Sequence, residues 1–156
     1  MISELKTLLK VKELREEKAL AWVKSRQDAV AAAERLLAEA RAAVAESGRT
    51  LPEREAGVWA RVMGKVVEQG EIDLVAAEVQ DLEKEHQRLV DKGTRAEHVL
   101  EKRREELVKA QGSYREAQKA VDKYRTLVEE AEAEAARELA GREEAELEEI
   151  AGRRVA

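Results

Sequence analysis

The sequence predicts an all-α protein: a long antiparallel two-helix coiled-coil hairpin with a short helix at the turn. Three observations predict it. Apolar residues recur at alternating steps of three and four from Ile72 to Ala135, the 3.5-residue period of a helix that buries a narrow seam against another helix. A weaker copy of that rhythm runs from Ile2 to Val44. The composition suits helices and little else: charged residues are 40%, aromatics 3%, Phe is absent and there is one Pro, whereas sheets want aromatic and β-branched residues with frequent turn signals.

The first helix is expected over 3–46, with Ser3 as its N-cap. Its seam reads Ile2, Leu5, Leu9, Lys12, Glu16, Ala19, Val23, Arg26, Val30, Ala33, Leu37, Ala40 and Val44. Lys12, Glu16 and Arg26 interrupt it, and polar seam residues of this kind lower stability but can fix register. Ala19, Ala33 and Ala40 allow the helices to approach closely. Trp22 sits one position off the seam, where its ring is expected to lie across the seam's edge; the alternative is an exposed anchor for a partner.

Ser47 and Gly48 read as a helix stop, giving an expected break at 47–51. Thr50, Leu51, Pro52 and Glu53 then form a capping-box pattern, Thr50 as N-cap and Pro52 in the first turn. A short helix is expected over 52–63, with Val58, Trp59, Val62 and Met63 on one face as a cap surface. A connector at 64–70 leads to a long helix at 71–152, whose seam is interrupted only by His86, Gly93 and Arg103. For Asp91 to Thr94 the expectations are a bend or plain tolerance of an imperfect seam. Short connections make neighbouring helices antiparallel, so facing residue numbers should add to a constant, about 140 for a reversal near Gly70. The whole, 1–156, is expected to be a single elongated domain. Beyond Ala135 the apolar pattern slips to Leu139, Leu147 and Ile150 among many Glu, which reads as a solvated acidic overhang or a partner site.

Charge is unevenly spread behind the net −5. Met1 to Arg26 holds seven Lys or Arg against four Glu, and Glu129 to Glu149 holds ten Glu against two Arg. Elsewhere Lys and Arg are interleaved with Glu, so no uncancelled basic face offers itself to nucleic acid. With no Cys, no apolar signal-peptide core between Met1 and Glu17 and no membrane-length apolar run, a cytoplasmic protein without membrane insertion is expected. No chemistry-bearing constellation emerges. His86 and His98 lie 12 residues apart without companions spaced for a metal. Gly64-Lys65 is followed by Val66, so no phosphate loop forms. We expect no enzyme activity, cofactor or metal.

Three blocks in order carry a family resemblance: Leu8-Leu9-Lys10-Val11-Lys12-Glu13-Leu14-Arg15; the stretch from Val58 to Val67 leading into Ile72-Asp73-Leu74; and Ala117 to Tyr124 followed by the Glu-rich Arg142 to Ile150. Together they resemble the YscO/FliJ (SctO) family, central stalk proteins of type III secretion systems. The resemblance implies a non-enzymatic stalk, like the γ subunit of rotary ATPases, that inserts into the hexameric secretion ATPase and links it to the export-gate protein. It would promote export at the cytoplasmic face of the apparatus, with secretion chaperones as further partners. From charge position, the ring-facing candidates are Lys6, Lys10, Lys12, Arg15 and Lys18 with Arg125, Glu129, Glu130 and Glu132. A monomeric hairpin melts at a temperature independent of concentration, whereas the alternative of a self-associating coiled-coil scaffold does not. A holdase-type chaperone for helical clients, the other alternative, needs an exposed apolar groove, for which Val58, Trp59, Val62 and Met63 are the candidates.

Overall fold

A computed structural model describes residues 1–155 and contains two helices, α1 at Ile2–Trp59 and α2 at Gln69–Val155. No strand occurs among the described residues. Runs of Ala, Leu, Glu, Lys and Arg favour helix throughout, but the stability of such long helices comes from the seams they bury. Every expected seam position from Ile2 to Val44 on α1, and from Ile72 to Ala131 on α2, is buried or half-buried, while Ala135 is exposed. The predicted all-α hairpin is the fold.

Contacts gather into two units. The first joins Met1–Lys24 to the chain from Val108 onward; its core is Val23, Ala110, Val121 and Val128. The second is Ser25–Leu107, centred on Ala33, Leu37 and Leu100, with Val30 and Ala96 packed against them. In each unit the helices run antiparallel. Lys6 meets Glu132 at 2.9 Å in the first; in the second, Arg41 meets Glu97 at 3.2 Å and Arg61 meets Glu78 at 2.8 Å. Residue numbers in these three pairs add to 138, 138 and 139, just below the expected value.

The helix boundaries correct the expectation. No break occurs at 47–51: α1 passes through Ser47, Gly48, Thr50 and Pro52; of the short helix expected over 52–63, residues 52–59 are its last stretch and 60–63 lie in the turn. The physical reason lies in where the polar groups turn. Thr50 Oγ1 donates back to the Glu46 carbonyl at 3.1 Å instead of capping a new helix, and Arg54 Nη2 donates to the Ser47 carbonyl at 3.2 Å. Pro52 deletes one helical hydrogen bond, to Gly48, but the seam continues past it through half-buried Leu51, Arg54 and Val58. At the other end Ser3 caps nothing. The helix begins one residue before it, and its carbonyl accepts from Thr7 Oγ1 at 2.9 Å.

The joint is closed by short-range bonds: the Val62 and Met63 amides both donate to the Trp59 carbonyl at 3.1 Å. Gly64 then adopts φ +69°, a left-handed conformation that glycine takes without a Cβ clash. The Glu68 carbonyl accepts from the Glu71 and Ile72 amides, so α2 starts at Gln69, two residues before Glu71. It ends beyond the expected residue 152, at Val155.

Asp91 to Thr94 is not a bend. α2 is continuous there, and Gly93 is buried against α1, where an added Cβ would stand 3.9 Å from Val44 Cγ2, an ordinary contact. A Gly93→Ala chain should therefore be more stable by about 0.5–1 kcal/mol, because alanine restricts the unfolded chain without straining the helix. Chemical denaturation measures this, and a lowered midpoint would mean that the helices are closer than described.

Candidate functional site

Of the polar residues that interrupt the seams, Lys12, Arg26, His86 and Arg103 are engaged. Lys12 is half-buried, its ammonium 5.4 Å from the centre of the Tyr124 ring, near enough for a cation–π attraction. In the second unit Arg26 Nη1 donates to Glu106 Oε2 at 3.1 Å and Arg103 Nη1 to Oε1 at 3.0 Å. Partial burial pushes the Glu106 carboxyl up, but the guanidinium groups of Arg103 and Arg26 outweigh it and hold the group below the ordinary carboxylate range. Nearer the joint, buried Ser47 places Oγ 2.9 Å from His86 Nδ1 and accepts from Arg54 Nη2 at 3.2 Å. A hydroxyl is both donor and acceptor, so it can satisfy both neighbours at once.

Ser47 and Arg54 continue the three-four series past Val44, through Leu51 to Val58, but the stop and capping signals at 47–53 mask that continuation in the sequence. A signal existed: an antiparallel sum near 140 sets His86 against residue 54. Glu106 gave none, since it lies one position before the seam residue Leu107.

The charged candidates divide into two groups. Lys6 and Glu132 are spent on each other, Lys12 on Tyr124, and Arg125 lies 3.8 Å from Asp122 on its own helix. Lys10, Arg15, Lys18, Glu129 and Glu130 are exposed, and none of the five forms a salt bridge among the described residues. The cap candidates also divide: Val58 and Val62 are half-buried, while Trp59 and Met63 face solvent. From Glu132 to Arg154 every residue is exposed.

Trp22 is 48% exposed. Among the described residues no group of three or more His, Asp or Glu is arranged to hold a metal ion, and no helix is long and apolar enough to cross a membrane.

Two helices zipped antiparallel along narrow seams, their free charges on outward faces, define a coiled-coil hairpin, a class that acts through its surfaces. The chain belongs to the YscO family: the family described as type III secretion protein YscO matches residues 5–153. It is similar to the crystal structure of type III secretion protein YscO from Vibrio parahaemolyticus, with a TM-score of 0.91 and 25% sequence identity, covering 95% of this chain and 93% of that one. No curated protein matches the chain. Family membership makes it a type III secretion protein, as the three sequence blocks imply.

Proposed function

We propose that the protein is the non-enzymatic central stalk of a type III secretion system. As a monomer at the cytoplasmic face of the apparatus, it inserts into the hexameric secretion ATPase and links that ring to the export-gate protein, with secretion chaperones as further partners. The observation carrying this reading is the set of uncommitted charges in the first unit, Lys10, Arg15 and Lys18 on α1 with Glu129 and Glu130 on α2. Exposed ion pairs contribute only about 0–1 kcal/mol each, so charges of this kind suit contacts made and released with successive subunits instead of one permanent lock. Side chains already spent within the hairpin, such as Lys12, are poorer candidates.

Reversing Lys10, Arg15 and Lys18 together to Glu tests the reading. Stimulation of ATP hydrolysis by the chain should fall on the order of tenfold or more, as three favourable contacts become repulsive. Circular dichroism should be unchanged, because the three side chains support no interhelical pair. Full stimulation by the triple variant would refute the assignment.

A further inference from the structure

We infer that the groove between α1 and α2 in the second unit receives the acidic end of α2 from a second copy of the chain. The contact concerns copies away from the ring, so the stalk reading, in which one chain enters it, stands whether or not the contact forms. The groove has a volume of about 280 Å³ and is walled by Leu36, Ala40 and Ala43 of α1 and by Leu89, Ala96 and Val99 of α2. Leu36 is 59% and Val99 42% exposed, so its apolar edges are left uncovered. The alanines keep the floor low, which lets a third helix approach closely.

One rim of this groove is basic. Arg88, Lys92, Arg95 and Lys102 each stand one residue before a seam position, Leu89, Gly93, Ala96 and Arg103, so they line up along α2 for about 21 Å. All four are exposed, and none forms a salt bridge among the described residues. Glu39 is the one carboxylate that lines the groove. Unpaired cations beside an apolar floor call for an acidic amphipathic helix, whose charges steer approach while its apolar side chains hold. The chain itself carries one. Leu139, Leu147 and Ile150 fall within about 80° of one another around α2, and they are 58%, 65% and 50% exposed. Glu143, Glu144 and Glu146 lie among and beside them, and none of these three forms a salt bridge among the described residues. Helix α2 is unbroken from the groove to this end, so the end that fills a groove comes from another copy. Leu147 and Ile150 then rest on the alanine floor between Leu36 and Val99, and the glutamates reach the basic rim.

Sedimentation equilibrium of the full chain tests the contact. The parent should move from monomer mass towards heavier species as its concentration rises, and less so at high salt. Two variants reverse one side each: Glu143, Glu144 and Glu146 to Lys in one, and Arg88, Lys92 and Arg95 to Glu in the other. Alone, each should associate about tenfold more weakly or less still, because like charges then face each other. Mixed, the two should associate again, since the reversed end of one fits the reversed rim of the other and the unreversed pair remains. Circular dichroism should match the parent in both, as none of the six side chains supports an ion pair within the chain. A parent that stays monomeric at millimolar concentration refutes the second copy as occupant, and a mixture that fails to recover shows that the contact lies elsewhere and refutes it too. Neither outcome measures binding to the ATPase, so the stalk reading is tested separately.

Discussion

Replacing Val121 with aspartate will open the first unit. Val121 is 2% exposed, and aspartate there removes two methyl groups from the seam and sets a carboxylate in their place with no cation positioned to receive it. Burying an unpaired charge, or letting the helices part to hydrate it, costs about 3–5 kcal/mol. Two antiparallel helices hold each other only through this narrow stripe, so the loss is local. Amide hydrogen exchange should accelerate across Met1–Lys24 and across α2 beyond Val108, with much smaller changes within Ser25–Leu107, because units with separate cores open separately. Val108→Asp is the control: Val108 is 61% exposed, and its exchange pattern should match the parent. Slow exchange retained throughout the first unit after Val121→Asp would show that the seam does not run through Val121.

Truncating Leu100 to alanine should be nearly as damaging to the second unit, at about 2–4 kcal/mol. Leu100 is 5% exposed and packs with Ala33 and Leu37, with Val30 and Ala96 beside them. Two of those four neighbours are alanines without the reach to fill the vacated space, so the site collapses poorly and a cavity term adds to the lost transfer energy. Leu36→Ala, at a side chain 59% exposed next to Leu37, should shift stability by less than about 0.5 kcal/mol. Denaturant unfolding of the two variants side by side checks the contrast; equal midpoints would put Leu36, not Leu37, on the buried face.

Much of this architecture was legible because a coiled coil writes its packing into spacing. The series from Ile72 to Ala131 and from Ile2 to Val44 names nearly every residue the helices bury, and also the half-buried Lys12, Arg26, His86 and Arg103, whose polarity argues against a seam position. What spacing could not convey is how local competitions resolve. Ser47, Gly48, Thr50 and Pro52 each favour ending a helix, yet the continuing seam and the bonds of Thr50 and Arg54 to preceding carbonyls carry α1 onward. Gly93 suggested a bend by its intrinsic preference, and burial against Val44 overrides it. Trp22 was ambiguous for another reason: one position off a seam can turn inward or outward, and only three-dimensional packing decides. Among the charged candidates, spacing placed Lys6, Lys10 and Lys12 on similar terms, and only the partners Glu132 and Tyr124 separate the engaged from the free.

The Ser47–His86–Arg54 cluster bears on what happens when one helix is pulled lengthwise. Steps of three and four look alike, and a zip of Ala, Val and Leu alone could creep by seven residues and close again at small loss. With these three groups inside, such a creep strands a hydroxyl, an imidazole and a guanidinium among apolar neighbours, at about 1–3 kcal/mol for each orphan. The cluster thereby gives the pair a detent, letting axial load pass from one helix to the other without slippage.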